Sequence, residues 1–182
     1  MSDQLSELIQ RAQNLDRAAF GEIYELYVVG VYRYVYYRLF DKKEAEDVTE
    51  EVFLKAMTGI GGYQADKGSF TGWLYGIARN AVIDHYRLVR RQMTAVEAAT
   101  SGWSESTRNE PDAFVAEMVR KALAGLTEDQ REMIILRFYA GLKISEIAEH
   151  IGKPETAVKS LQRRASQALA KALGGEEQND RE

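Results

Sequence analysis

The chain has 182 residues, enough for one good-sized domain or two small ones, and a formal net charge of −4. It has no cysteine, which excludes disulfides, thiolate metal sites and a cysteine nucleophile. Its two histidines, His85 and His150, carry no ligand spacing, so both are expected as surface or boundary side chains and neither a metal nor a cofactor is expected. Both prolines stand after residue 110 and no sustained period-two pattern appears, so an all-α chain is expected. A first helix is expected over residues 5–14. A second starts at Asp16 and runs to about residue 39, with a bend near Gly30 and tyrosines that pack a core with their hydroxyls at its edge. No signal-peptide pattern opens the sequence, and its most apolar run, YVVGVYRYVYY, is interrupted by Arg33 and is too short to span a bilayer. A cytoplasmic protein without membrane insertion is therefore expected.

A third helix is expected over residues 41–57, burying Ala45, Val48, Val52, Phe53 and Ala56. The segment 58–71, TGIGGYQADKGSFT, reads as a loop; it lacks the lysine-serine ending of a phosphate-binding loop and follows no strand. Residues 72–91 then form a long amphipathic helix. Leu74, Ile77, Ala78, Ala81, His85 and Leu88 make one stripe of it, and Asn80, Asp84, Arg87 and Arg91 a neighbouring polar one. Arg79, Tyr86 and Arg90 cover the remaining exposed arc with Ile83. Such an amide, these arginines and an aromatic beside a glycine-containing loop could hold an unstacked base; an Asp84–Arg87 pair on a solvated face accounts for the same residues.

From 92 to 112 the periodicity is lost, and TSGWSESTRNEPD has the composition of a flexible linker. The division expected is a helical domain at 1–91, an acidic linker at 92–112, a smaller helical domain at 113–173 and a frayed, disordered tail at 174–182. Within the second domain, Thr127 with Gln130 three residues on starts a helix carrying Ile134, Ile135 and Phe138. The stretch GLKISEIAEHIGKPETAVKSLQRRASQAL then reads as a helix-turn-helix. Ile144, Ile147, Ala148 and Ile151 fall at helical spacing, Gly152-Lys153-Pro154 interrupts, and Val158, Leu161, Ala165, Ala168 and Leu169 share one face of a second helix. Thr156, Ser160, Arg163 and Gln167 fall together on the opposite face, flanked by Lys159 and Arg164, the kind of surface that enters a major groove.

Charge is partitioned rather than uniform. Residues 63–91 carry five basic and two acidic groups and residues 153–171 five and one, whereas residues 1–62 carry seven and eleven. Two basic blocks among acidic ones mark phosphate contacts on a protein that reaches DNA in company with a basic partner.

Four segments in this order resemble the extracytoplasmic-function branch of the bacterial RNA polymerase sigma factors. They are AFGEIYELYVVGVYRYVYYRL, EAEDVTEEVFLKA, FTGWLYGIARNAVIDHYR with its WL, IARN and DxxR pattern, and the helix-turn-helix with VKSLQRRA near its centre. The resemblance implies an all-α protein of two small helical domains that docks on core RNA polymerase and directs initiation at a bipartite promoter, without catalytic activity of its own. By similarity, Asp47, Val48, Glu50, Glu51, Phe53 and Leu54 would face the polymerase clamp helices, with a further contact to its flap. The 61–69 loop and Asn80 would capture a flipped −10 base, supported by Tyr63, Phe70, Arg79, Asp84, Arg87, Arg90 and Arg91. Thr156, Lys159, Ser160, Arg163, Arg164 and Gln167 would read the −35 duplex, and an anti-sigma factor is an expected partner. Two positions depart from the family's pattern. Glu50 stands where glutamine is frequent, and Lys143 stands where serine or threonine usually caps the first helix of the reading motif. Lysine cannot accept the cap hydrogen bonds, so that helix is expected to start at Ser145 or to lose ~1 kcal/mol. A free-standing duplex-DNA binder, an adaptor that keeps the fold without initiation, and a single-stranded RNA binder are the readings that compete with this one.

Overall fold

A computed structural model describes residues 2–97 and 113–174, which belong to two compact helical units. In the first, α1 (Ser2–Gln13) is followed by α2 (Arg17–Leu39), α3 (Lys42–Gly59), two single 3₁₀ turns (Ile60–Gly62 and Ala65–Lys67) and α4 (Phe70–Glu97). The start of α2 is set by Asp16, whose carboxylate accepts from the Ala18 and Ala19 N–H groups at 3.0 and 3.2 Å. Arg11 reaches back to the same carboxylate at 2.8 Å and closes the α1–α2 corner. That guanidinium, and after it the Ala19 N–H, hold the Asp16 carboxyl below its usual range.

At Gly30, where a bend was expected, α2 continues without a break in the helix. One glycine in a helix costs ~1 kcal/mol, which is small against the burial of Val31, Tyr34 and Val35 on the next turn. Tyr34 meets Tyr75 of α4 edge to face at 5.5 Å, both rings buried, in the centre of this unit. Beyond its first turn the buried positions of α4 are Leu74, Tyr75, Ala78, Ala81 and Val82, while Leu88 is exposed. The apolar stripe is thus turned toward Tyr75 and Val82, because α4 packs against α2 as well as α3 and its buried arc must serve both. The helix begins at Phe70, where the Ser69 hydroxyl accepts the Gly72 N–H at 3.1 Å, and continues to Glu97, past the 91 expected.

The second unit comprises α5 (Ala113–Ala124), α6 (Glu128–Ile134), a π-turn (Ile135–Tyr139), α7 (Ile144–Ile151) and α8 (Glu155–Gly174). Thr127 caps α6 as expected: Gln130 accepts the Thr127 N–H at 3.0 Å and returns its own N–H to the Thr127 hydroxyl at 3.4 Å. Arg131 ties α6 to the preceding helix by donating to the carbonyls of Leu123, Ala124 and Leu126 at 2.9, 3.3 and 3.4 Å, which satisfies the C-terminal end of α5. Ile134 and Ile135 are buried, but Phe138 is 58% exposed. The π-turn explains the difference: the Ala140 N–H bonds the Ile135 carbonyl five residues back, and the extra residue rotates Phe138 off the core face.

Among the described residues there is no strand, and no helix is long and apolar enough to cross a membrane. Residues 92–97 of the expected linker at 92–112 belong to α4, and Gly174 of the expected tail at 174–182 ends α8; residues 98–112 and 175–182 lie outside the described residues.

Candidate partner and nucleic-acid interfaces

The Asp41 carboxylate caps α3 by accepting the Glu44 N–H at 2.9 Å. Its inner face carries Ala45, Val48, Thr49, Val52, Phe53 and Ala56, with the Thr49 hydroxyl folded back onto the Ala45 carbonyl at 2.6 Å. Two of the residues expected to meet a partner are therefore corrected. Val48 and Phe53 are 3% and 5% exposed; the Phe53 ring lies 4.7 Å from that of Tyr24, and both side chains fasten α3 to its own unit. Asp47, Glu50, Glu51 and Leu54 do face outward. The apolar part of the exposed face is Leu54 at 60% with Met57 at 48%, one turn further on. Met57 escaped the sequence reading, although its i+3 spacing from Leu54 was there to be read. Glu51 engages Lys55 at 2.6 Å on the same face.

The loop between α3 and α4 is held from beneath and at both ends. Gln13 of α1 donates its amide to the carbonyls of Ile60 and Tyr63 at 3.1 and 2.8 Å. The Tyr63 hydroxyl donates to the Gly68 carbonyl at 2.9 Å, closing the loop's neck, and Gly68 takes a φ of 151° with ψ 169°, a conformation essentially confined to glycine. Under it, Tyr63, Phe70 and Trp73 sit with ring centroids 5.3–5.5 Å apart, and Tyr27 packs on Phe70 at 5.6 Å. Phe70 is only 3% exposed, which corrects its expected role at a DNA surface: it is the floor on which the loop rests. Gln64, Ala65, Asp66 and Lys67 form the exposed rim. Gln13 could not be found from sequence, since nothing local marks a side chain that bonds 47 residues away.

From Trp73, the half-exposed edge of that floor, one face of α4 continues at helical spacing through Asn80, Asp84, Arg87 and Arg91. Asn80, Arg79, Asp84, Arg87, Arg90 and Arg91 are all exposed, so amide and arginines line a track leading from the loop. Asp84 and Arg87 pair at 3.2 Å, with both side chains more than half exposed, a contact that contributes only a few tenths of a kcal/mol and leaves the arginine available. Tyr86 leaves that track and donates its hydroxyl to the Arg38 carbonyl at the end of α2. His85 meets Glu44 of α3 at 2.9 Å, which ties the acidic helix to the basic one.

In the second unit, α7 starts at Ile144 with Lys143 in the cap position, not at Ser145. Half of a capping box forms: the Lys143 N–H donates to the Glu146 carboxylate at 2.7 Å, while lysine offers no acceptor in return. Gly152 then adopts φ 70°, ψ 34°, and the Lys153 N–H returns to the Ala148 carbonyl at 3.0 Å, ending α7 in a left-handed cap. The Pro154 carbonyl accepts from Ala157 and Val158 and opens α8. Val158, Leu161 and Ala165 are buried there, whereas Thr156, Lys159, Ser160, Arg163, Arg164 and Gln167 are all exposed. The helix therefore presents the expected polar and basic face away from its core.

The family model for Sigma-70 region 2 matches residues 23–92, the span from α2 into α4, and that for Sigma-70, region 4 matches residues 116–169, from α5 into α8. The chain is 38% identical over 176 residues to the ECF RNA polymerase sigma factor BldN of Streptomyces coelicolor, covering 94% of this chain and 67% of that protein. It belongs to the ECF RNA polymerase sigma factors. It is 32% identical to ECF RNA polymerase sigma factor SigX of Bacillus subtilis, covering 85% and 83%. Among solved structures, CnrH, in complex with the cytosolic domain of CnrY, superposes with a TM-score of 0.73 at 21% identity over 92% of this chain and 96% of that one, a likeness of fold. In this sigma factor the α3 face, the loop with the α4 track, and the α8 face are thus three separate surfaces of a transcription initiation factor, the first two in region 2 and the third in region 4.

Proposed function

We propose that this sigma factor docks on core RNA polymerase through the outer face of α3, captures an unstacked −10 base at the loop and α4 track, and reads the −35 duplex with α8. The observation that carries the reading is the exposure of all six expected residues of α8 opposite the buried Val158, Leu161 and Ala165, since a helix must offer side chains to the groove while its back is held by the domain. Docking uses Asp47, Glu50 and Glu51 as charge around Leu54 and Met57, an apolar centre with an acidic rim suited to a basic helical partner such as the clamp helices. Base capture uses Asn80 and the 61–69 loop, with Tyr63 and Trp73 as the aromatic edge and Arg79, Arg87, Arg90 and Arg91 along the strand. Extruding a base costs a few kcal/mol, so holding it stabilises the melted strand without nucleotide hydrolysis. The factor works by binding, in the cytoplasm, and turns over no substrate. The structure of RpoE from Bartonella quintana was solved in complex with the anti-sigma factor NepR, and we extend such a partner to this chain.

The test is in vitro transcription with purified core polymerase on a promoter library, read out as transcript start sites. Initiation that needs both proteins, at sites sharing two spaced motifs, is the expected result. Tight duplex binding by the free chain with no core-dependent transcript would instead make it a free-standing DNA-binding protein.

A further inference from the structure

Glu132 is a carboxylate 5% exposed inside the second unit, a costly location unless it is partnered. Its partner is His150, in the last turn of α7, whose ring N–H donates across 2.9 Å; the two side chains are 7% and 3% exposed. His150 as a whole residue is of intermediate exposure, a boundary position as expected from sequence, with its ring turned inward. One turn earlier on α6, Asp129 holds the Lys153 ammonium at 2.7 Å, with both groups in contact with solvent. His150 and Lys153 stand on the two sides of Gly152, the left-handed residue at which the chain leaves α7 for α8. Two carboxylates on one face of α6 therefore grip the turn of the helix-turn-helix from both sides, and α6 itself packs along α8.

Net stability is a poor account of such an arrangement, because apolar side chains of similar volume hold buried helices at least as well as a buried charged pair. What a hydrogen bond adds is direction: it fixes a distance and an angle where packing alone leaves neighbouring solutions close in energy. We propose that Glu132 and His150, seconded by Asp129 and Lys153, are positioning residues that set the pitch at which α8 leaves the turn, and with it the register of α8 on duplex DNA. None of the four is asked to touch a base. The proposal rests on the reading of α8 as the −35 helix and names what aims it.

The test uses the full chain assembled with core polymerase. Affinity is measured for a promoter fragment and for the same fragment with its −35 element scrambled, beside a thermal melt of each variant. In Glu132→Leu/His150→Leu both members of the pair go together, so neither leaves the other unpaired, and the melt shows whether the unit keeps its fold. Its discrimination between the fragments is expected to fall roughly tenfold, the effect of losing about one base contact. Glu132→Gln, which keeps an acceptor for the ring N–H, is expected to restore most of it. A double variant that melts normally and discriminates like the parent overturns the proposal. Should it fail to fold, Asp129→Ala decides, since that pair is exposed: discrimination is expected to fall a few-fold, and parental discrimination overturns the grip. Arg163→Ala separates the two readings. If it loses discrimination while the double variant keeps it, α8 reads DNA and only the positioning role is wrong. If the parent itself does not distinguish the fragments, α8 does not read this duplex and the positioning role falls with it.

Discussion

At position 163 a guanidinium stands exposed in the middle of the polar face of α8, one turn from Ser160 and from Gln167. If it contacts a base edge, Arg163→Ala is expected to weaken binding to −35 duplex by ~1–3 kcal/mol and to relax preference at one position, which a competition assay across single-base variants would reveal. Equal affinity for every variant, before and after the change, removes it from the reading face. Asn80→Ala is expected to leave polymerase docking intact while reducing open-complex formation, scored by permanganate reactivity of the −10 region. A loss of docking in that variant means that Asn80 serves the polymerase surface and not the base. The Asp16 carboxyl is held low by Arg11, so its contribution to stability is complete above the ordinary carboxylate value of about 4 and is lost as pH falls through the lowered one. Melting temperature followed downward from pH 5 is therefore expected to fall less steeply in Asp16→Asn, which keeps the cap acceptor without the charge.

Single residues also mark where sequence reading reached its limit. The exposed face of α8 was legible, because a buried stripe dictates the opposite face of an amphipathic helix, although of the five residues expected on that stripe only Val158, Leu161 and Ala165 are buried. The burial of Val48 and Phe53 was legible too, from their periodicity, yet their expected assignment to a partner ignored that one side chain cannot serve both faces. Phe70 was misplaced because the loop was taken to run to residue 71, whereas Ser69 starts α4 one residue before Phe70. His150 and Gln13 owe their places to residues 18 and 47 positions away, and no local pattern encodes such distances.

Elements show the same division between local and distant causes. The helix ends named at Asp16, Thr127 and Gly152 are present, since capping needs only side chains within a few residues, whereas the Ser145 start expected for α7 gives way to Ile144 with Lys143 in the cap position. The π-turn at Ile135–Tyr139 was not legible, because its extra residue answers to how α6 meets its neighbours. Gly152 offers a sharp test at this scale. A Cβ there would meet nothing within 4 Å, so Gly152→Ala introduces backbone strain alone. Its φ of 70° makes that strain ~1–2 kcal/mol, expected as a lower melting temperature of the second unit. An unchanged melt means the turn relaxes to another conformation, which reduced −35 discrimination would then register.

Across the whole molecule, surplus negative charge in residues 1–62 and the basic block at 153–171 fit the proposed division between binding a protein and binding a polyanion. The chain's net charge of −4 should keep the free factor's hold on DNA weak, so that selectivity appears only after docking. Asp47→Arg is expected to abolish co-elution with core polymerase while leaving the −35 preference of α8 unaltered in a direct duplex-binding assay. Loss of both activities would mean that the change unfolds more than the exposed face of α3.

Trp73, wedged beside Tyr63 and Phe70, where a Cβ added at Gly59 would come within 3.6 Å of its ring, gives the loop an optical voice of its own. Indole emission responds to whatever lies against the ring, and the only other tryptophan, Trp103, can be replaced by phenylalanine. The unlabelled factor then carries a lone indole, excited apart from the tyrosines at the red edge of absorption, at the lip of the loop proposed to take the base. Arrival of that base would register as quenching on a stopped-flow trace, so promoter opening could be timed from the protein's side of the encounter.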